Sequence, residues 1–381
     1  MTESNHSTTD RPYWVAWSQL PGVGPIRIQR LWQHFGSLAA AWQADTAALL
    51  EVEGIGLAIA MAIETARSRF DPVACYVAYA QKNPHFWTPS DPDYPRLLLE
   101  IPDPPPLLHY RGRVEQAENQ GQTLAVAIVG TRHPTEYGRR WTYRISQVLA
   151  RVGATVVSGL AEGIDAIAHQ GCLEAGGRTL AVMGTGVNMI YPRRNRALAE
   201  RILDGGLLLS EYPAGTPPDR AQFPRRNRII AGLSRAVLVL EAPEKSGALI
   251  TARVANEYAR DVYALPGSLD NDKSQGCLQL INQGASMILS EASLLEALGT
   301  IPALNSALAP SHTAINPTEK VIPDLPPELT QVLDAVQDDP RLLDQIAQQT
   351  TLGTGTILAA LAQLEMMDLV TQLPGMRYRR C

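Results

Sequence analysis

The arginines of this chain are concentrated in two copies of the pentapeptide Pro-Arg-Arg-Asn-Arg, at 192–196 and 224–228. An aromatic residue, Tyr191 or Phe223, directly precedes each copy. The segment 190–235 holds nine arginines and four acidic residues, a net charge of +5 in a chain whose net charge is −5. Guanidinium groups pair with phosphate oxygens and stack on bases, as aromatic rings also do. The segment therefore predicts a local surface that binds a polyanion.

Glycine-containing loops form a second group of candidate binding residues. Each loop follows a short apolar run, and glycine lets backbone N–H groups approach an anion closely. The helix that follows each loop adds the positive end of its dipole. The alternative is that each glycine only makes a tight turn. The candidate residues in these loops are Gly130, Thr131, Arg132, Ser158, Gly159, Gly184, Gly186, Lys245, Ser246 and Gly247.

Short apolar segments alternate with segments of helical length between 124 and 290. Such strands, bounded by glycine, are typical of a parallel sheet that is covered on both faces. Right-handed crossovers then predict an α/β domain with a doubly wound, mostly parallel, Rossmann-like sheet. Ligands bind at the carboxyl ends of such strands, so the loops and arginines are expected at one sheet edge. The predicted strands are 125–130, 155–159, 179–184, 207–211, 236–241, 262–266 and 287–289.

The N-terminal part of the chain predicts short helices joined by turns of the form hydrophobic-x-Gly-hydrophobic-Gly. Two such turns occur, at 20–24 and 52–56. They are typical of helix-hairpin-helix or SAM-like domains, in which turn N–H groups meet a phosphate. Few basic residues accompany them, so DNA contact and a plain helical bundle both stay open.

The C-terminal part predicts a small winged-helix-like unit. Three helices, at 329–336, 342–349 and 354–367, precede a hairpin around Pro374-Gly375, which is the element order of a winged helix. The third helix, in the position of a recognition helix, is nearly uncharged, so sequence readout, weak duplex binding and partner binding all stay open. The predicted organisation is an N-terminal helical domain (1–75), the Rossmann-like domain with its N-terminal extension (83–299), a linker (300–325) and the winged-helix-like domain (326–381).

Motifs of nucleotide-dependent enzymes are absent. The first predicted strand is not followed by GxGxxG, and GxxxxGK[ST], HExxH and GxSxG do not occur. Asp165 and His169 share one helix face. They form either an acid–base pair or a structural pair in which Asp165 caps the helix or bonds a loop amide and His169 satisfies it. With Glu211 they are the candidates for the alternative function, a nucleotide-processing enzyme of the phosphoribohydrolase-like Rossmann group, whose Pro-Gly-Gly-x-Gly-Thr motif is also absent.

Composition indicates a cytoplasmic protein without a metal or other cofactor. The four cysteines are scattered, with no CxxC pair, as expected for reduced thiols. The N-terminus is polar, and no apolar run is long enough to span a bilayer. We therefore expect no membrane partner.

Ordered motifs in this chain closely resemble those of the DNA-processing protein A family, also called DprA or Smf. They run in family order over about 125–290, and the flanking helical and winged-helix segments fit the longer family members. The motifs are Ala127–Arg132, Val157–Asp165 followed by Ala168-His169, Gly184–Gly186 with Tyr191-Pro192 and Asn195, Ser210–Tyr212, Phe223–Ser234, Ser246–Thr251 and Leu265–Gly267.

The resemblance implies a single-stranded DNA-binding protein without catalytic turnover. It further implies that the protein protects the strand, helps to load the RecA recombinase during natural transformation, and forms homodimers through its Rossmann-like domain. Ala248 replaces a more usual serine, which removes one possible hydroxyl contact. By motif position, the implied DNA-binding residues include Arg132, Arg193, Arg226, Asn227, Arg228 and Lys245.

Overall fold

The computed structural model describes residues 6–299, 326–336, 341–350, 352–366, 369–373 and 377–380. The chain divides into two compact units, Met1–Ala309 and Pro310–Cys381. The predicted linker 300–325 lies outside the described residues, and the boundary predicted between the N-terminal helices and the Rossmann-like domain stays a prediction.

Within residues 6–299, nine strands form one sheet. In space they follow the order β1-β2-β6-β5-β4-β3-β7-β8-β9. Strands β3 to β9 pair in parallel, whereas β1 and β2 add an antiparallel pair beside β6. This arrangement confirms the predicted mostly parallel, Rossmann-like sheet. The strands are β1 (Phe86–Trp87), β2 (Leu108–Gly112), β3 (Ala125–Val129), β4 (Thr155–Ser158), β5 (Thr179–Val182), β6 (Leu207–Ser210), β7 (Ala236–Val239), β8 (Asp261–Ala264) and β9 (Ser286–Met287).

The strand order reverses at β3. Strands β4, β5 and β6 extend the sheet on one side of β3, while β7 pairs with its other side. At such a switch point the connections leave toward opposite faces and open a crevice at the carboxyl ends of the strands. The loops after β3 and β7, which carry Arg132 and Lys245, therefore border the same crevice.

Short helices precede the parallel strands and enclose a core of their own. Trp14 and Trp17 are completely buried in it. Arg27 links the two predicted glycine turns, since it donates to the carbonyl oxygens of Gly22 at 2.7 Å and Gly54 at 2.9 Å. The helices around this core are α1 (His6–Ser18), α2 (Pro25–Phe35), α3 (Leu38–Gln43), α4 (Thr46–Leu50), α5 (Leu57–Arg67) and α6 (Pro72–Lys82). Two more short helices follow before β3, α7 (Arg96–Leu99) and α8 (Gln116–Asn119), and Leu98 of α7 packs in the core of the sheet.

Helices cover both faces of the sheet, as predicted. Ile229, Ala248 and Ala252 pack on one face, and Ile145, Leu149 and Ile164 pack on the other. Burial of these apolar side chains is the main term that holds the layers together. The helices are α9 (Glu136–Arg151), α10 (Ile164–Glu174), α11 (Arg196–Gly205), α12 (Gln222–Gly232), α13 (Gly247–Glu257), α14 (Gln275–Asn282) and α15 (Glu291–Gly299).

A buried histidine makes stability in the first unit depend on pH. His109 lies between the Tyr79 hydroxyl, at 2.7 Å from Nε2, and the Ser210 carbonyl, at 3.1 Å from Nδ1. Burial lowers the pKa of His109 to about 4, although the Ser210 carbonyl favours the charged ring. The neutral ring therefore stabilises the fold above about pH 6.5, and this contribution is lost as the pH falls toward 4.

Replacing His109 with glutamine is expected to flatten the stability profile between pH 6.5 and 4. Each buried histidine contributes up to about 1.4 kcal/mol per pH unit to the slope, and glutamine does not titrate. All six tryptophans lie in the first unit, so urea unfolding followed by tryptophan fluorescence measures this slope. The exposed His85 provides the control variant, His85→Gln. An unchanged slope in His109→Gln would contradict the prediction.

The second unit has the element order of a winged helix, as predicted. Its three strands pair antiparallel in the order β10-β12-β11, and Val332, Ile346 and Leu364 lie in its apolar core. The predicted turn at Pro374-Gly375 lies outside the described residues. The elements are α16 (Pro327–Ala335), β10 (Arg341–Leu342), α17 (Leu343–Gln349), α18 (Thr354–Met366), β11 (Val370–Leu373) and β12 (Arg377–Arg380).

Candidate nucleic-acid interface

A pocket of about 630 Å³ lies at the switch point of the sheet. Five segments that are distant in sequence meet there: the loop after β3, the loop after β4 with the start of α10, the segment after β5 with Tyr191, the α12 region and the loop after β7. Its cationic lining residues are Arg132, Arg220, Arg226 and Lys245, and Asp165 is the acidic one. The pocket thus has the excess of positive charge that a phosphate chain requires.

The loop after β3 is held tightly against its neighbours. The Thr131 N–H donates to the Glu241 carbonyl at 2.7 Å. A Cβ on Gly130 would lie only 2.5 Å from Cγ1 of Ile164, so glycine is needed for this close packing. Arg132 follows, and its exposed side chain lines the pocket. The loop therefore holds the backbone of Arg132 at a defined position on the pocket edge.

The aromatic residues that precede the two pentapeptides lie side by side. The rings of Tyr191 and Phe223 have their centroids 5.6 Å apart, and the Arg132 guanidinium lies 5.8 Å from the Phe223 ring centroid. A Cβ on Gly184 would lie 2.7 Å from the Phe223 ring, so this glycine makes room for the ring. Together these groups border a small cleft beside the pocket and offer both stacking and charge.

Arg226 lies in the floor of the pocket, almost completely buried. Its Nη1 donates to the Gly159 carbonyl at 2.7 Å and also to the Val182 carbonyl. Burial lowers the pKa of Arg226 to about 10, opposed by the nearby Asp165 carboxylate, so it stays charged at neutral pH. Arg226 is thus a fixed positive charge beneath the pocket.

Arg228 points away from this pocket. Its Nε lies 3.1 Å from Oδ2 of Asp103, and its Nη2 pairs with Glu211. It borders a different cavity, which also contacts α1, α2 and Tyr258. The structure therefore separates Arg226 and Arg228, which the sequence had placed on one phosphate-binding surface. The assignment of Arg228 to DNA binding stays a prediction, without support from this geometry.

The loop after β7 completes the pocket. Lys245 is exposed on its rim, and the Ser246 hydroxyl caps α13 by accepting from the Ala248 N–H at 3.2 Å. Asn227 reaches this loop from α12, because its Nδ2 donates to the Gly247 carbonyl at 3.2 Å. The predicted residues Lys245, Ser246 and Gly247 are therefore brought together with Arg132, Arg226 and Asn227.

Gly159 lines only the small cleft beside the pocket, and Gly184, Ser158, Gly186 and Arg193 line neither. Ser158 is fully buried, and its hydroxyl donates to the Ile128 carbonyl at 2.6 Å. Gly186 packs against the backbone of Pro213, whose oxygen would lie 2.4 Å from an added Cβ. Arg193 is exposed in a 3-10 turn, Arg193–Asn195. Sequence reasoning also missed Arg220 on the pocket rim, although it lies inside the arginine-rich segment.

Asp165 and His169 do not act on each other as an acid–base pair. Asp165 accepts from the Gly159 N–H at 3.1 Å, whereas Nδ1 of His169 lies 2.7 Å from the Thr179 hydroxyl. Burial lowers the pKa of His169 to about 3, with a further effect of the Arg226 charge. Burial also raises the pKa of Asp165, opposed first by Arg226. The structural alternative fits Asp165, which accepts from loop amides, but not His169, whose partner is Thr179 and not Asp165.

Two kinds of feature are absent from the described residues. No group of three or more histidine, cysteine, aspartate or glutamate side chains in that part of the chain is arranged to hold a metal ion. No helix among the same residues has the length and apolar character needed to cross a membrane.

Comparison with known proteins identifies the family. The model of "DNA recombination-mediator protein A" matches residues 85–299, and that of the "DprA winged helix domain" matches residues 316–376. The chain belongs to the DNA recombination-mediator protein A family. It is 51% identical over 396 aligned positions to Protein Smf of Synechocystis sp., covering 98% of this chain and 100% of that protein. It is 37% identical to Protein Smf of Escherichia coli, over 78% of each chain.

Solved structures of DNA processing protein A share this architecture. The X-ray structure from Streptococcus pneumoniae is 35% identical, with a TM-score of 0.64, and the match covers 74% of this chain and 95% of that one. A Helicobacter pylori structure, described as showing a single-stranded DNA binding mode, is 33% identical with a TM-score of 0.50, covering 54% of this chain and 92% of that one.

Proposed function

We propose that this recombination mediator binds single-stranded DNA in the pocket at the carboxyl ends of β3 and β7. The observation that carries the proposal is the convergence of Arg132, Arg226 and Lys245 on one pocket beside a pair of aromatic rings. Cations can neutralise phosphates, and ring faces can stack on unpaired bases without regard to sequence. A duplex keeps its bases stacked inside, so the rings favour a single strand.

The protein acts without catalytic turnover in this proposal. The acid–base candidates are occupied elsewhere: Asp165 accepts from loop amides, His169 bonds Thr179, and Glu211 pairs with Arg228. Asp165 lines the pocket at the switch point, while Glu211 lines the cavity beside α2. These three residues therefore lack the shared site that a nucleotide-processing enzyme would need.

The remaining parts of the proposal follow from family membership. A recombination mediator gives its strand to a recombinase, and we propose RecA as the recipient and natural transformation as one setting. We also propose that the protein works as a cytoplasmic homodimer. The sequence-based division into domains 1–75, 83–299, 300–325 and 326–381 belongs to the same proposal, as does DNA binding by those predicted site residues that line the pocket or the small cleft beside it.

Binding of a fluorescent oligonucleotide, single-stranded or duplex, at two or more salt concentrations tests the DNA-binding proposal. We expect preference for the single strand and a steep loss of affinity with salt, because phosphate contacts release counterions. Arg132→Ala is expected to weaken binding about tenfold and to reduce the salt slope by about 0.7, the value for one phosphate contact on a single strand.

Arg151→Ala is the matched control for this experiment. Arg151 is also an exposed arginine, at the end of α9, and α9 runs from the carboxyl edge of the sheet to the opposite edge. Its loss should leave affinity and salt slope unchanged. Absence of binding to either DNA form at low salt would overturn the proposed function.

A further inference from the structure

The loop after β4, residues 159–162, has a strained backbone and borders the DNA-binding surface. Gly159, Ala161 and Glu162 line the small cleft beside the aromatic rings, and Ala161 also lines the main pocket. Leu160 between them is fully buried and has a φ of +55°. This left-handed conformation costs a residue other than glycine about 1 kcal/mol, so it persists only where surrounding contacts fix it.

Three buried side chains from three elements fix this loop. Asp165, in α10, accepts from the N–H groups of Gly159 at 3.1 Å and Ala161 at 3.4 Å. Asn195, before α11, donates from Nδ2 to the carbonyl oxygens of Leu160 at 2.9 Å and Ala161 at 3.3 Å. Arg226, in α12, donates to the Gly159 carbonyl. The loop backbone is therefore bonded from several sides.

The two pentapeptides supply two of these three side chains. Asn195 belongs to the first copy and Arg226 to the second. Asn195 stands at the N-cap position of α11 but makes no capping hydrogen bond. Asparagine at this position usually accepts from a backbone N–H of its own helix. Its side-chain amide is instead directed to a loop about 35 residues earlier in the chain.

We infer that Asn195 and Asp165 are positioning residues for DNA binding. They hold the loop 159–162 in the shape that forms one wall of the cleft, and they act through the loop instead of binding phosphate themselves. The inference rests on the proposed function, because it assigns these residues a role in the same site. An ordered binding surface gains affinity by avoiding the cost of ordering when the ligand arrives.

Asn195→Ala tests the inference by removing both amide donors while leaving the charge of the protein unchanged. We expect single-stranded DNA to bind about tenfold more weakly, from the loss of two hydrogen bonds and the ordering they maintain. The slope of affinity against salt should stay at the wild-type value, because no cation is lost. Arg132→Ala, measured in parallel, should lower both affinity and slope.

Hydrogen exchange gives a second readout that does not depend on DNA. Amides in the peptide covering 159–163 are expected to exchange faster in Asn195→Ala, and at the wild-type rate in Arg151→Ala. Where Asn195→Ala fails to fold, Asn195→Ser replaces it, since serine retains one shorter donor. A folded variant with wild-type affinity overturns the inference, as does a salt slope that falls as in Arg132→Ala.

The same experiments separate this inference from the proposed function. If the wild-type protein binds no DNA, the proposed function fails, and the inference about DNA binding fails with it whatever the exchange rates. If the wild-type protein binds and Arg132→Ala binds weakly while Asn195→Ala binds normally, only the positioning role is wrong.

Discussion

Replacing Arg228 with alanine is expected to destabilise the first unit by about 3 kcal/mol while leaving the salt slope of DNA binding unchanged. The largely buried guanidinium pairs with Asp103 at 3.1 Å and with Glu211. Burial already raises the pKa of Glu211, and the Arg228 charge opposes that shift. Removing Arg228 leaves two carboxylates without their cation, which costs far more than losing an exposed ion pair.

The neighbouring Arg225 provides the control variant for this prediction. Arg225 is exposed on the same helix, so Arg225→Ala is expected to change the free energy of unfolding by less than about 0.5 kcal/mol. Urea unfolding followed by tryptophan fluorescence measures both variants. A loss below about 1 kcal/mol in Arg228→Ala would refute the structural role, and a reduced salt slope would show that Arg228 also contacts the DNA.

Replacing Gly163 with alanine is expected to cost about 3 kcal/mol or more and to weaken DNA binding. Gly163 has a φ of +79°, and an added Cβ would lie 2.4 Å from the Thr131 carbonyl oxygen and 2.6 Å from the Arg132 carbonyl carbon. These are backbone atoms, which cannot rotate away. The loop that positions Arg132 must therefore shift.

Gly153 supplies a matched control for the steric effect. It has nearly the same φ, +78°, but an added Cβ would meet nothing within 4 Å. Gly153→Ala should therefore cost only the strain of the left-handed backbone, about 1 kcal/mol, with DNA affinity unchanged. If urea unfolding gives equal losses of stability in the two variants, the clash of the added Cβ with the Arg132 loop is not the cause of the loss in Gly163→Ala.

The sheet could be predicted from the sequence because its strands carry unusually clear local signals. Segments such as Ala125–Val129 and Ala236–Val239 are entirely apolar and buried, with polar or glycine-containing loops beyond them. Continuous apolar runs of this kind indicate burial on both faces, and they can be recognised in the segment alone without knowing its tertiary contacts. Strand β1 gave no such signal, since it is two residues long and lies in a proline-rich stretch.

The directions of the arginines could not be read from the pentapeptide alone. The second copy lies inside α12, where residues two apart point to nearly opposite sides of the helix, so Arg226 and Arg228 diverge. The first copy forms a 3-10 turn before α11. Identical residues thus adopt different local structures, because the tertiary setting of each copy differs. Only the helix assignment and its register decide which arginine faces the pocket.

Because Arg226 is buried, its guanidinium loses its hydration shell when the protein folds and not when DNA binds. Its guanidinium is already bonded to carbonyl oxygens and almost without contact to solvent in the free protein. The dehydration of this cation therefore occurs while the chain folds, and an incoming strand does not have to displace its hydration shell. The electric field of the Arg226 guanidinium then reaches a phosphate through the protein interior, where salt screens it less than in water. In the proposed binding site, part of the attraction for DNA thus comes from the folded core and not from the solvent-exposed arginines.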